Sequence, residues 1–382
     1  MTLFAGTYAS RRVLVTGHTG FKGSWLVNWL LDLGADVCGY SNGVPTDPSL
    51  FQLGDLAGRI RHETGDVRDL ERFSAVLQDY RPDVVFHLAA QAIVSTSYRN
   101  PLDTISTNVM GTGTVLEALR AVDWPCVGVI ITSDKCYENV EWVYGYRETD
   151  RLGGKDVYSA SKGAAELIFH AYHHSFFVSS EGPVRLATMR AGNVIGGGDW
   201  AADRIVVDCV KAWQEGRPVE IRAPRATRPW QHVLEPLSGY LTLGARMLAT
   251  NTGGNTFHGE SYNFGPMAEQ NRTVVELIGD LAIEWGGANS GAGGEQRGDN
   301  KGYEITADIP FHEAGLLKLS CDKALFDLKW QPTLTYAECV ELTGGWYRRV
   351  LREGQDVFSV TAEQIRRYET LAGERQRVWT RD

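Results

Sequence analysis

Val13-Leu14-Val15-Thr16-Gly17-His18-Thr19-Gly20-Phe21-Lys22-Gly23-Ser24-Trp25-Leu26 is the stretch whose reading decides the fold. Val13 to Val15 read as a buried strand, and from Ser24 onward Trp25, Leu26, Trp29, Leu30 and Leu33 recur on one helical face, closed by Gly34. Between strand and helix, Gly17, Gly20 and Gly23 stand three apart. Such a turn lets backbone approach a pyrophosphate closely, and the helix N-terminus behind it offers unpaired N–H groups with a partial positive charge. The spacing is G-x-x-G-x-x-G, not the better-known G-x-G-x-x-G. It predicts a dinucleotide site on Gly17, His18, Thr19, Gly20, Phe21, Lys22 and Gly23.

Outward from this unit the same rhythm repeats. Strands are predicted at 36–40, 60–64, 84–88, 127–132 and 186–190, and helices at 70–79, 107–121 and 158–177. Strands separated by helices need crossovers, so a parallel sheet covered on both faces is expected: an α/β, Rossmann-type, doubly wound domain over residues 10–193, to which C-terminal segments can return. After Asn193 the rhythm gives way to Gly-, Trp- and Arg-containing loops between isolated helices (206–215, 233–248, 273–285, 336–351), read as a smaller α/β substrate lobe over 194–372. Gly286 to Gly302, with seven glycines, reads as a mobile loop, and the charged tail from about Gly373 as frayed.

The 382 residues carry 38 Lys plus Arg against 47 Asp plus Glu, a net charge of −9, which argues against a nucleic-acid binder. Any phosphate-bearing ligand must be held by a few local donors. The six cysteines, scattered and without a C-x-x-C pair, read as reduced core thiols. No apolar run approaches a membrane span and Met1 to Arg12 does not read as a secretory signal, so a cytoplasmic protein is expected. His173 and His174 lack a third partner at useful spacing, and no metal is assigned.

Tyr158-Ser159-Ala160-Ser161-Lys162 opens a predicted helix with the phenol and the ammonium on one face. A nearby cation favours the phenolate, the form in which Tyr158 acts as a base. Ser133 ends the 127–132 strand, at the sheet edge where ligands of open α/β sheets bind, and Asp134 and Lys135 follow it in a loop. The end of the second strand, Tyr40-Ser41-Asn42, carries neither the acid that meets a ribose hydroxyl nor the Arg that meets a 2′-phosphate, so it does not choose between NAD and NADP. Asp66 is placed either to accept from an adenine amino group or to cap its own loop.

Thr16 to Gly23, His87-Leu88-Ala89-Ala90, Thr132-Ser133-Asp134, Tyr158 with Lys162, and Arg190-Ala191-Gly192-Asn193 together resemble the extended short-chain dehydrogenases/reductases of the nucleotide-sugar-modifying branch, over roughly residues 10–350. Strings 16–25, Thr132 to Tyr137, Gly196 to Trp200 and Arg228 to Val233 narrow the likeness to the CDP-glucose 4,6-dehydratases. The resemblance implies NAD, with Tyr40, Asp66, Val67, Leu88, Ala89 and Ala90 joining the glycine turn around it, and conversion of CDP-glucose to CDP-4-keto-6-deoxyglucose, a step of deoxysugar and lipopolysaccharide synthesis. It makes Tyr158 the base at the sugar C4 hydroxyl, Ser133 the holder of that oxygen, Lys162 the cation that lowers the phenol's pKa, and Asp134 the acid toward the departing C6 hydroxyl. Lys135 stands where dTDP-glucose enzymes carry a carboxylate, and acts at C5 as base or as the cation facing the enolate. Arg204 and Arg228 fall on the diphosphate, Asn193 bridges phosphate and protein, and Trp200 and Trp230 either stack near the nucleotide or pack the second lobe.

The resemblance also implies a homodimer, or a dimer of dimers, paired through the 107–121 and 158–177 helices. Rival readings are a GDP-mannose 4,6-dehydratase, a UDP-sugar 4-epimerase, which needs no Asp134-Lys135 doublet, and a non-catalytic NAD(P)-sensing regulator, which would be free to lose Ser133, Tyr158 and Lys162.

Overall fold

A computed structural model describes residues 2–178, 182–221, 223–224, 226–249, 257–267, 270–286, 303–306 and 316–381. Seven strands, β1 (Arg12–Thr16), β2 (Asp36–Ser41), β3 (Arg61–Thr64), β4 (Val84–His87), β5 (Cys126–Ile131), β6 (Val184–Ala191) and β7 (Ser261–Phe264), form one sheet in the order 3-2-1-4-5-6-7. Every neighbouring pair is parallel. Chain direction across the sheet reverses between β1 and β4, and a crevice therefore opens beyond the carboxyl ends of these two strands.

Helices α1 (Phe21–Asp32), α2 (Leu70–Tyr80), α3 (Gly111–Arg120), α4 (Val157–Tyr172), α5 (Ile205–Gln214), α6 (Leu234–Ala249), α7 (Val274–Gly286), α8 (Tyr336–Tyr347) and α9 (Val357–Glu374) surround the sheet. One face buries Leu14, Val85 and Ile130 against Phe73, Leu116, Leu119 and Phe169 of α2, α3 and α4. The other buries Val13, Val15, Phe86 and Val129 with Trp25, Trp29, Leu237, Trp346 and Tyr368. Each such side chain, taken fully out of water, contributes roughly 1.5–3 kcal/mol, which is what holds the strand ends in register around the crevice.

Four features depart from the sequence reading. The helix expected at 107–121 starts earlier, with Pro101–Ile105 and a π turn at Ser106–Met110 leading into α3. The expected 158–177 helix likewise ends in a π turn at His173–Phe177. Among the elements that were not expected are β7 and α9, the latter started by Asp356, whose side chain accepts from Ser359 N at 2.8 Å. Nor is the tail frayed from Gly373. Gly373 lies inside α9, and Trp379 is buried, stacked on Phe4 and Tyr368 and edge-on to Trp29, while Arg375 pairs with Glu338 at 2.6 Å. An indole buried among three aromatic rings outweighs the chain entropy that the charges of the tail suggested.

Residues 287–302, the core of the glycine-rich stretch read as a loop, lie outside the described residues. Among the described residues no helix is long and apolar enough to cross a membrane, and all six cysteines are free thiols, only Cys321 short of full burial.

Candidate active site

The glycine turn leaves β1 at the switch point. Gly17 has φ of +71°, and a Cβ there would sit 2.7 Å from Ala89 N; a Cβ on Gly23 would sit 2.2 Å from Gly17 O. Both glycines are therefore demanded by the protein's own packing. Gly20 is not: its φ is −77°, and its Cβ would meet nothing closer than Gly17 O at 3.4 Å. Space kept free on the crevice side at the N-cap of α1 fits a phosphate-bearing ligand approaching backbone N–H groups.

Second-strand residues secure this turn. Gly17 N donates to Tyr40 O at 2.9 Å, and the Tyr40 ring is fully buried, its hydroxyl donating to Asp66 O at 3.0 Å. His18 lies beneath the turn, bonded to Ser41 Oγ at 3.0 Å and to His62 Nδ1 at 2.7 Å; burial, with His62 beside it, drops its pKa to about 3. Thr19 Oγ1 donates to Gly43 O at 2.7 Å. Asp66 caps its own loop, accepting from Arg68 N at 2.9 Å and pairing with the Arg68 guanidinium at 2.6 Å, and Arg68 also reaches Asp103 at 2.7 Å. Val67 is buried against Gly111. Leu88, Ala89 and Ala90, half-buried, follow β4 across the crevice, with Ala89 N donating to Thr16 Oγ1 at 3.1 Å.

The structure brings Ser133, Asp134, Lys135, Tyr158 and Lys162 together. Ser133 Oγ donates to Asp134 Oδ1 at 2.9 Å and lies in hydrogen-bonding reach of the Tyr158 hydroxyl. Lys135 Nζ donates to Asn193 Oδ1 at 3.1 Å and stands 3.7 Å from Asp134 Oδ1. Asn193 thus anchors the lysine, an arrangement that its reading as a phosphate bridge did not include. Asp156 starts α4 by accepting from Ser159 N at 2.9 Å, which sets Tyr158 and Lys162 on the first two turns, packed against the Ser133–Cys136 turn.

Burial pushes the Tyr158 phenol up to about 12, against the Ser133 hydrogen bond and the Arg204 charge that pull it down. Burial also pushes Lys162 down to about 8, against Glu166 and Cys136. The protein's own cations do not offset the burial of the phenol, and positive charge brought by a ligand would lower it. Lys22, read as part of the phosphate turn, is likewise pushed down to about 8 by burial, and its charge is felt by Asp134, Arg204, Lys162 and Lys135. It belongs to the reacting cluster as much as to the turn.

Past Asn193 a cavity of about 330 Å3 is lined by Arg204, Arg228, Asp199, Asp208, Glu220 and Trp230 among others. Arg204 stands 4.0 Å from the buried Asp199 carboxylate. Of the two tryptophans, Trp230 lines the cavity and donates to Arg272 O at 3.1 Å, whereas Trp200 is buried edge-on to Tyr347.

Reading by motif missed four residues. His62 supports His18. Asn108, in the π turn, accepts from Gln91 N at 2.8 Å and donates to Ser161 Oγ at 2.9 Å, tying the crevice wall to the helix of Tyr158. Gln231 is buried close to Gly192 and Asp134. Glu166, one turn beyond Lys162, is wholly buried. Two of them carry a sequence signal, Asn108 amid small residues before Gly111 and Gln231 inside the Arg228–Val233 string; His62 and Glu166 come from segments without a motif.

A family model described as GDP-mannose 4,6 dehydratase matches residues 14–343. A CDP-glucose 4,6-dehydratase of Salmonella typhimurium is 43% identical over 364 residues, 94% of this chain and 97% of that protein. A dTDP-glucose 4,6-dehydratase of Xanthomonas campestris is 27% identical, over 87% of this chain and 92% of that one. Among solved structures, an epimerase of Methanothermobacter thermautotrophicus superposes with a TM-score of 0.73 at 22% identity, covering 92% of this chain and 97% of that one. A dTDP-glucose 4,6-dehydratase of Streptomyces venezuelae, solved with NAD bound, superposes with 0.72 at 23%, covering 91% and 99%. At such identities the likeness is one of fold.

Proposed function

Since the chain belongs to the GDP-mannose 4,6 dehydratase family, within the extended short-chain dehydrogenases/reductases, we propose that it is a lyase converting CDP-glucose to CDP-4-keto-6-deoxyglucose and water with NAD in the crevice at Gly17 to Gly23. The observation that carries this reading is the Asp134-Lys135 pair next to Ser133 and Tyr158, in a chain 43% identical to a CDP-glucose enzyme but 27% or less identical to the dTDP-glucose enzymes compared with it. The open Gly20 position fits the cofactor's pyrophosphate, and Arg68, already held by Asp66 and Asp103, offers no spare cation for a 2′-phosphate.

When bound, NAD supplies the two-electron acceptor at C4 and returns the same electrons at C6. Tyr158, with Ser133 holding the oxygen, takes the proton of the C4 hydroxyl, and the Lys162 ammonium stabilises the phenolate. The resulting C4 ketone acidifies C5–H. Lys135 acts there, as base or as the cation that stabilises the enolate, and Asp134 gives its proton to the leaving C6 hydroxyl; a proton returns to C5 when the electrons return to C6. Arg204 and Arg228 hold the diphosphate, since planar guanidinium groups suit bidentate contact with phosphate oxygens. Residues 194–372 supply most of the nucleotide-sugar contacts.

A homodimer is part of this reading. Leu102, Met110, Leu167 and Phe176 stand exposed along the packed helical pair Pro101–Arg120 and Val157–Phe177, and a second copy would cover them. So are a cytoplasmic site of action and a place in lipopolysaccharide deoxysugar synthesis. Purified protein incubated without added cofactor with CDP-, UDP- and dTDP-glucose and GDP-mannose should yield a 4-keto-6-deoxy product from CDP-glucose alone. Product from GDP-mannose, or inversion at C4 without loss of water, would overturn the assignment.

A further inference from the structure

Beneath the carboxyl ends of three adjacent strands, one carboxylate gathers contacts from all of them. Glu166 of α4 is wholly buried and accepts from Thr132 Oγ1 at the end of β5, from Thr188 Oγ1 of β6 at 2.9 Å, from Arg190 Nη2 of β6 at 2.8 Å and from Ser261 Oγ of β7 at 3.4 Å. Arg190, 1% exposed, carries the network on: Nη1 donates to Tyr137 OH at 2.7 Å and to Glu148 O at 2.9 Å. Tyr137 OH in turn donates to Asn263 Oδ1 of β7 at 2.8 Å. Thr132 and Tyr137 bracket Ser133, Asp134 and Lys135, so the reacting turn is gripped at both ends by one ion pair.

We propose that Glu166, paired with Arg190, is a positioning residue for the dehydration assigned above: it clamps the Thr132–Tyr137 turn to the helix of Tyr158 and sets a negative charge one turn from the Lys162 ammonium. The proposal rests on that functional reading for its effect on turnover, but not for its electrostatics. Ion pairs this deeply buried contribute little to net stability over apolar packing, so their use lies in specifying an arrangement. Here the arrangement is the separation between Ser133, in the turn after β5, and Tyr158 on α4, and misplacing such groups by about 1 Å costs on the order of 10²-fold in rate.

Lys162 is faced by Cys136 in the reacting turn, by Glu166 on its own helix, by the imidazole of His87 on β4, which burial keeps neutral, and by the charge of Lys22 on α1. Glu166 is faced by Arg190, Thr132, Thr188 and, 3.9 Å away, His170 Nε2, and these partners together hold its carboxyl below the ordinary value although burial pushes it up. Removing the anion therefore makes the charged form of Lys162 harder to keep.

The test is Glu166→Gln in the full chain, with and without NAD. Titration of Lys162, read from the pH dependence of competitive acetylation at its peptide, should move down by about one pH unit, and an unmoved titration overturns the proposal whatever the substrate proves to be. Turnover of CDP-glucose should fall about 10–100-fold with KM changed less than about 2-fold, and its alkaline limb should shift down with the lysine; a wild-type kcat overturns the clamp. Should Glu166→Gln not fold, Thr132→Val decides. It keeps the charge and cuts the tether, so kcat should fall while the Lys162 titration stays in place; unchanged kcat again overturns the proposal. Failure of the functional reading is separate and visible, as a wild-type protein that makes no 4-keto-6-deoxy product while its Lys162 still responds to Glu166→Gln.

Discussion

Lys135→Met separates the oxidation of the sugar from the loss of water. The ammonium it removes donates to Asn193 at 3.1 Å, stands 3.7 Å from Asp134 and belongs to a side chain 26% exposed. Partly solvated pairs of this kind contribute at most about 1 kcal/mol, so the melting temperature should fall by no more than about 2–4 °C. Methionine matches lysine in length but can neither move a proton nor face an enolate. A positioned proton-transfer group typically contributes about 10²–10⁴-fold, or roughly 2.7–5.5 kcal/mol of barrier, and here the whole loss should fall on the C5 step because Ser133, Tyr158 and Lys162 are untouched. Rapid mixing of NAD-loaded protein with CDP-glucose should then show reduced cofactor accumulating in the near ultraviolet with no 4-keto-6-deoxy product. In deuterated buffer, CDP-glucose recovered from Lys135→Met should carry no deuterium at C5, whereas Asp134→Asn should exchange C5 and still fail to release water. A Lys135→Met protein that binds both ligands yet never reduces the cofactor, or that exchanges C5 at the wild-type rate, would falsify this division of labour.

The free position at Gly20 predicts that Gly20→Ala leaves the melting temperature within a few degrees while weakening NAD binding at least about tenfold, a loss of ~1.4 kcal/mol or more by calorimetry; Gly23→Ala, whose Cβ would lie 2.2 Å from Gly17 O, should instead cost fold stability, and equal behaviour of the two variants would sink the cradle. Leu167→Glu, on the exposed apolar face, should give a folded monomer by sedimentation; an unchanged oligomer would place the subunit contact elsewhere. Trp379→Ala should destabilise by about 3–5 kcal/mol in urea unfolding, an effect that a frayed tail would not show. Burial drops His18, His87 and His232 to about 3 and His173 to about 4, so these groups contribute stability above pH 6.5 that is lost as pH falls, while Glu235 and Glu369, raised by burial to about 7, contribute stability that is lost as pH rises toward 7. With His170 and His258 also lowered and Glu148 and Asp199 also raised by burial, six histidines outnumber four carboxyls, so stability should rise with pH near pH 5.5, and a flat urea midpoint between pH 5 and 6 would contradict the burial of the histidines.

Six of the seven central strands were legible, five of them because each is an apolar run between helical periods, the pattern of a strand buried on both faces, and the polar, largely exposed edge strand β3, Arg61-His62-Glu63-Thr64, by its place in the alternating rhythm. The seventh is not such a run. In Ser261-Tyr262-Asn263-Phe264 the alternate positions are polar, and the structure shows why: Ser261 serves the Glu166 carboxylate, while Asn263 accepts from Tyr137 and donates to Tyr146 O and Ser320 O. A strand recruited to satisfy buried charges loses the hydrophobic signature by which strands are recognised. α9 escaped for a related reason. Val357, Val360, Thr361, Gln364, Ile365, Tyr368 and Ala372 do recur at helical spacing behind the Asp356 cap, but Thr361, Gln364 and Glu369 among the buried positions are polar and the outer face is crowded with charge.

Legibility of the site divides along the same line. Groups expected to meet substrate or cofactor stand in contiguous strings, Thr16 to Gly23, Thr132 to Lys135, and Tyr158 with Lys162, because a turn or a single helical face presents them locally. Groups that hold those strings in place come from elsewhere: Glu166 answers Thr132 across 34 residues, Asn193 answers Lys135 across 58, His62 answers His18 across 44. Such partners have no spacing to betray them, since a buried polar side chain has only to be satisfied, and any segment the fold brings near can do it. For the phenol this division has a functional consequence. Its i, i+4 lysine predicts a base, yet burial holds it near 12 and holds that lysine near 8. At neutral pH a lysine near 8 is still largely the ammonium while a phenol near 12 is neutral, so the cation is in place before the base is, and positive charge carried by a ligand in the crevice would lower the phenol further, which couples the chemistry to occupancy of the site.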